Sequence, residues 1–121
     1  MKNYIYLFAF LGLLAFSCSD DNDPIKACNV NNVLELPWLQ ELIAETEEFE
    51  IGRDYAYITM GTYDSQTVFV SQNCCPLCNS IVVVYDCSGN TIGKIGYEGI
   101  SADEITDREV IWKSSNNSCN I

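Results

Sequence analysis

The chain has 121 residues, 48% of them apolar, with seven cysteines, no histidine and a formal net charge of −11. That length holds one domain, and six Lys plus Arg against 17 acids exclude a nucleic-acid partner, whose phosphates are bound through basic side chains that displace counterions. Without histidine there is no Ser-His-Asp triad, no Cys-His dyad and no imidazole metal ligand, which removes the commonest routes to an active site in a small domain.

Met1-Lys2-Asn3 carries one positive charge, and Tyr4 to Phe16 is apolar apart from Gly12. This is the pattern of a secretory leader, and it is shorter than the about 20 apolar residues needed to cross a bilayer. The following Leu14-Ala15-Phe16-Ser17-Cys18 resembles a bacterial lipoprotein signal, in which signal peptidase II cuts before the cysteine that then carries the lipid. Ala15 stands where that signal most often has leucine, as in the looser lipoboxes of Bacteroidetes. The resemblance implies cleavage after residue 17, a lipid on Cys18 and a membrane anchor of several acyl chains, firmer than a single chain provides. The alternative is an ordinary leader with Cys18 free or disulfide-bonded. Ser19-Asp20-Asp21-Asn22-Asp23 resembles the acidic signal that sends Bacteroidetes lipoproteins to the outer leaflet of the outer membrane, so a cell-surface location is expected. That acidic run lacks the glycine and distant glutamate of an EF-hand loop. Residues 18–32 read as a polar tether, and residues 33–121 as the folded domain. Cleavage leaves 121 less 17, or 104, residues, and the loss of Lys2 takes the net charge from −11 to −12.

From Pro37 to Phe49, Trp38, Leu39, Leu42, Ile43 and Phe49 recur at helical spacing, predicting an amphipathic helix with proline in its first turn. Glu41, Glu45 and Glu48 fall on the opposite side, as a solvated face or an acidic docking surface. Asp54–Met60 and Gln66–Ser71 are β-rich runs around the turn residues Gly61–Ser65, and Ser80–Cys87 pairs with Thr91–Tyr97 around Ser88-Gly89-Asn90. The run Ile81-Val82-Val83-Val84 belongs to a strand too apolar for an edge. Ser101-Ala102-Asp103-Glu104 fits a capping box, and Glu109–Lys113 a last short strand. The predicted fold is α+β: one N-terminal amphipathic helix packed on an antiparallel meander sheet of four to five strands, stapled by disulfides.

With Cys18 lipidated, Cys28, Cys74, Cys75, Cys78, Cys87 and Cys119 remain, an even set that in an exported chain reads as a disulfide framework. Adjacent Cys74 and Cys75 are expected to take different partners. Termini of a domain tend to lie close together, so Cys28–Cys119 is a reasonable pair, leaving the other four to staple a loop to a strand. Cys75-Pro76-Leu77-Cys78 is a C-x-x-C, but it runs into a β-rich segment rather than the helix of thioredoxin-like sites. A four-thiolate metal site is possible by count, although structural zinc sites usually present two separated pairs.

Leu36-Pro37-Trp38-Leu39 and Tyr85-Asp86-Cys87-Ser88-Gly89-Asn90 together resemble a set of small Bacteroidetes lipoproteins that carry a domain of unknown function. The likeness spans roughly residues 33–100, and some of the set have cysteine where this chain has Gly93; it implies no activity. No carboxylate pair has the spacing of a glycosidase site. The chain therefore reads as a non-enzymatic binding or accessory module without cofactor or resident metal. Its expected partners are the membrane, through the lipid, and a protein or small molecule, with cationic ones favoured by the acidic surface. Two alternatives are a protease-inhibitor-like domain presenting Pro76 and Leu77 on a disulfide-stiffened loop, and a thiol redox or metal site at Cys74–Cys78. The inhibitor reading requires an exposed Leu77.

Overall fold

The computed structural model describes residues 24–96 and 99–121. The leader, Cys18 and the acidic run at 20–23 lie outside the described residues, as does Tyr97. Among the described residues no helix is long and apolar enough to cross a membrane.

The fold is α+β with a five-stranded antiparallel sheet. Helices α1 (Pro37–Thr46) and α2 (Glu50–Tyr55) precede β1 (Ala56–Tyr63), β2 (Gln66–Asn73), β3 (Val83–Tyr85), β4 (Thr91–Lys94) and β5 (Thr106–Lys113). The strand order is β4-β3-β2-β1-β5. The chain meanders outward from β1 to β4, then crosses back over the sheet to place β5 beside β1.

The helix expected over 37–49 ends at Thr46, and a second, unexpected helix follows at Glu50–Tyr55. No basic residue lies in the last turn of α1, and Glu45, Glu47 and Glu48 put negative charge against the negative end of its dipole. Thr46 adds a hydroxyl bond back to the Leu42 carbonyl at 2.8 Å, a contact that competes with helix propagation. Phe49 turns extended, with φ −111° and ψ 145°. In α2 the charges reverse, with Glu50 in the first turn and Arg53 in the last, so a short second helix forms and delays β1 to Ala56. At this corner a Cβ on Gly52 would lie 1.9 Å from the Thr46 carbonyl oxygen. Only glycine fits.

The β1–β2 turn is tighter than the five-residue stretch expected. Tyr63 pairs with Gln66, leaving a two-residue loop in which Asp64 and Ser65 both have positive φ, 51° and 64°. This is the sign pattern of a type I′ turn, whose twist matches the strands it joins. The second hairpin is shorter than expected. Asp86 leaves the strand to make a turn, and Ser80 is held by Asn73 through a 2.9 Å bond from Asn73 Nδ2.

Both faces of the sheet are covered. On one, α1 and the N-terminal segment pack Val33 and Leu39 against Ile58, Phe69 and Ile111. Trp38 sits among the aromatics there, 5.4 Å from the Phe69 ring at 79° and 5.5 Å from Tyr85. On the other, the crossing segment lays Ile100 and Ile105 over Val68, Val70 and Val84. Two strand glycines permit this approach: a Cβ on Gly93 would meet Ile100 Cδ1 at 2.5 Å, and one on Gly61 would meet Ile105 Cγ2 at 2.8 Å. Val84 is fully buried, as the valine run requires. Ser101–Glu104 forms a 3₁₀ turn in which the Ser101 N–H donates to Glu104 Oε1 at 2.8 Å.

β5 is longer than Glu109–Lys113 and lies at an edge. Its register against β1 shifts twice, with Asp107 at φ 54°, so bulges and the charged residues Asp107, Arg108 and Glu109 blunt a strand that would otherwise invite pairing.

The folded region begins earlier than residue 33. Ile25, Ala27, Cys28 and Val30 pack against the core, and the Val33 N–H donates to the Ile25 carbonyl at 2.9 Å. Cys28 and Asn29, with φ 56° and 64°, form a tight turn closed by a Val30–Ala27 bond of 3.0 Å. Residues 25–32, expected to be tether, are therefore part of the fold, because a disulfide ties the turn at Cys28 to Cys87.

Candidate functional site

All six domain cysteines are paired, as Cys28–Cys87, Cys74–Cys119 and Cys75–Cys78. Cys28 and Cys119 are not bonded to each other, and the other four do not all pair among themselves to staple a loop to a strand, since Cys87 and Cys74 take these two as partners. The N-terminal turn lies against the β3–β4 turn, whereas the C-terminal tail returns to the start of β1. There the Ser118 N–H donates to the Asp54 carbonyl at 2.7 Å and Asn117 Nδ2 to that of Ala56, also at 2.7 Å. Cys74 and Cys75 do take different partners. The four cysteines at 74, 75, 78 and 87 do not converge as a ligand set, and among the described residues no group of three or more Cys, Asp or Glu is arranged to hold a metal.

Three surface regions carry enough shape or chemistry to be weighed. The largest is an open cleft of about 390 Å³ beside Cys28–Cys87, lined in part by Gln66, Thr67, Asp86 and Ser88. Its one carboxylate is already committed. Asp86 Oδ1 accepts the N–H groups of Ser88 and Asn90, each at 2.9 Å, and Oδ2 accepts Asn90 Nδ2 at 3.3 Å. The backbone bond from Asn90 is the main cause that holds the Asp86 carboxyl below the usual carboxylate range. This cleft is the outer side of a structural knot. Trp38 Nε1 donates to the Cys87 carbonyl at 2.8 Å, and the Trp38 ring occupies the space a Gly89 Cβ would need, 2.6 Å from Cγ. Tyr85, half-buried beside it, has its phenol pKa raised by burial and by the nearby Glu45.

The second region is the turn at Cys75-Pro76-Leu77-Cys78. Pro76 presets the φ of a turn's second position, the Cys78 N–H points to the Cys75 carbonyl at 3.4 Å, and the disulfide closes the four residues. Asn73 clasps the base of the loop, its Oδ1 accepting the Cys75 N–H at 3.1 Å and the Ser80 hydroxyl at 3.2 Å. At the apex Leu77 is 96% exposed. Burying a leucine is worth about 1.5–3 kcal/mol, and here that gain is forgone on a loop that is covalently held.

The third region adjoins the second through Asn73. A groove of about 290 Å³ runs between the α1–α2 corner and the end of β2, with Phe49, Ile51 and Ile81 as apolar walls and Ser71, Gln72 and Asn73 alongside. Phe49 is 69%, Ile81 53% and Ile51 49% exposed. The corner is tied together: Arg53 Nη1 donates to the Glu47 carbonyl at 3.0 Å, Glu47 Oε2 accepts the Ser115 N–H at 2.9 Å, and Gly52 allows the close approach of Thr46. Sequence reasoning missed this groove. Phe49 fits the apolar face of a longer helix by spacing, and only the break after Thr46 turns it outward. The signal available was its company, Glu47-Glu48-Phe49-Glu50 followed by Gly52, a charged run unsuited to a buried helix end.

The chain matches no family model, no curated protein and no solved structure. The resemblance to Bacteroidetes lipoproteins therefore rests on the two short segments that carry it. In space these are one unit, since Leu36–Leu39 supplies the Trp38 that packs and hydrogen-bonds on Tyr85–Asn90.

Proposed function

We propose that this protein is a lipid-anchored, cell-surface binding module without catalytic activity, which recognises its partner through the Leu77 turn and the apolar groove beside it. The observation that carries this reading is the near-complete exposure of Leu77 on a turn closed by its own disulfide and clasped by Asn73. A side chain held in its binding position before contact loses less entropy on association. Exposed apolar residues grouped on one side of a small protein are the usual mark of an interaction site. The anchor is supported by the lipobox at Cys18 and the acidic residues after it.

Exposure of Leu77 also suits a protease inhibitor, but the backbone of this turn does not. A reactive segment has to enter the protease cleft extended, and Cys75–Cys78 is folded back on itself. The Asn73-clasped turn favours recognition of its apex over threading through a cleft.

Two experiments test the reading. The full chain, disulfides intact, is used to retain partners from surface extracts, in parallel with Leu77→Asp. A partner held by the wild type and lost by the variant, with circular dichroism unchanged, is expected. Equal retention by both removes Leu77 from the site and with it the reading. For the anchor, labelled palmitate should be incorporated by the wild type and not by Cys18→Ala; incorporation that survives the substitution overturns the lipid assignment.

A further inference from the structure

We infer that the groove walled by Phe49, Ile51 and Ile81 takes one apolar side chain of a basic polypeptide segment, a leucine- or phenylalanine-type residue flanked by lysine or arginine. The inference rests on the binding-module reading and names the chemistry of its partner.

Three observations lead to it. First, two of the apolar walls, Phe49 and Ile51, project from a corner pinned by Arg53, Glu47 and Gly52, and Ile81 closes the groove from the segment before β3, so the groove exists before anything enters it. At about 290 Å³ it lies at the small end of ligand cavities, a size for a side chain rather than an extended cofactor. Second, Phe49 stands between Glu48 and Glu50, and both of these are exposed. The nearest cation in sequence, Arg53, already donates to the Glu47 carbonyl. An apolar anchor whose chain neighbours are exposed carboxylates is complementary to an apolar residue flanked by cations. Third, Ser71 on the β2 side offers a hydroxyl to the peptide backbone that accompanies such a side chain, whereas the Asn73 amide is used at the base of the Leu77 turn and Gln72 donates to Thr59.

The same charges reject the other occupants. A second copy of this chain, cleaved after residue 17, would bring another net charge of −12 against the first. An anionic lipid surface would set its headgroups against Glu48 and Glu50, and like-charge juxtaposition opposes both.

Anisotropy of labelled peptides with the full, oxidised chain tests the inference. The probes are a Lys-Leu peptide, a Lys-Ser peptide of equal charge and a Glu-Leu peptide of equal apolarity. The Lys-Leu peptide is expected to bind at least about tenfold more tightly than either control. Phe49→Ser should weaken it about tenfold, through faster dissociation. Glu48→Gln with Glu50→Gln should slow association and flatten its salt dependence. Equal binding of the Glu-Leu peptide overturns the charge argument, and equal binding of the Lys-Ser peptide overturns the anchor. Phe49-dependent binding of neutral phosphatidylcholine vesicles in place of peptide makes the patch a membrane contact and overturns the peptide assignment. If Leu77→Asp abolishes peptide binding while Phe49→Ser leaves it unchanged, the groove fails and the binding-module reading stands. If no peptide binds, the groove assignment falls alone, because the Leu77→Asp retention experiment decides the broader reading independently.

Discussion

The three disulfides differ in what they hold, and removing them one pair at a time separates fold from display. Cys28–Cys87 and Cys74–Cys119 span 59 and 45 positions, whereas Cys75–Cys78 spans three. In the chain-entropy account a cross-link stabilises by restricting the unfolded state, and the effect grows with the logarithm of loop length. That gives about 4 kcal/mol for each long loop and about 2 kcal/mol for the four-residue one. A domain of this size has a total stability of about 5–15 kcal/mol, so losing either long bridge brings it close to unfolding. Packing widens the gap, because Cys28 and Cys87 lie against the main core cluster and the Cys75–Cys78 turn projects Leu77 into solvent. Urea unfolding of the oxidised protein, followed by circular dichroism, should rank Cys→Ala pairs in that order. The Cys75/Cys78 pair should cost least and yet abolish Leu77-dependent binding. The two long loops overlap between residues 74 and 87, so removing both should be non-additive. If the Cys75/Cys78 pair costs as much as either long bridge, the short bridge is a staple of the fold, and the claim that it exists to display Leu77 is refuted.

Further predictions address single positions. Ser65, at φ 64° in the two-residue β1–β2 turn, should gain about 0.5–1 kcal/mol on substitution by glycine, while Ser65→Val should lose more than that; thermal melts decide, and a destabilised Ser65→Gly contradicts the turn assignment. Gly89→Ala should cost about 2–3 kcal/mol more than Gly96→Ala. Both glycines have φ near 85–89°, but only at Gly89 does a Cβ meet Trp38, so equal losses in urea would remove Trp38 from the account. Asp86 sets a pH dependence. Its folded pKa lies below the unfolded value of 3.8, so its stabilising contribution is complete above that value and disappears as pH falls through the lower folded pKa. Asp86→Asn should remove this component and leave stability flatter than in the wild type as pH falls below 3.8, as measured by thermal melts at successively lower pH; an unchanged slope refutes the assignment.

Elements with strong local signals were legible in the sequence. Pro37 at the helix start, the β-rich runs of β1 and β2, the valine run of β3 and the box at Ser101–Glu104 all appear within a residue or a few of expectation, because each is set by neighbours in the chain. The misses have tertiary causes. Whether the helix continues past Thr46 depends on a repulsive Glu cluster and on the fit of Gly52 under a carbonyl. The N-terminal boundary depends on which cysteine Cys28 finds, and that is decided by the placement of the β3–β4 turn rather than by proximity of the termini. Gly61 reads locally as a turn residue but lies inside β1, and Gly93 carries no local pattern at all. Their role becomes visible only when Ile100 and Ile105 cross the sheet.

The candidate site was half legible for the same reason. A cysteine pair three positions apart with proline between them announces a closed turn, so Leu77 was identifiable and its exposure follows. Phe49, by contrast, has the spacing of a core residue, and its exposure is a consequence of the break in front of it. The two sites then share one physical logic. Each exposed apolar side chain sits on backbone fixed by contacts that the core does not need: a disulfide and the Asn73 clasp for Leu77, and the Arg53, Glu47 and Gly52 corner for Phe49. Backbone ordered in advance around groups that still face water gains when a partner covers those groups, because the entropy is already lost and only the burial remains to be realised.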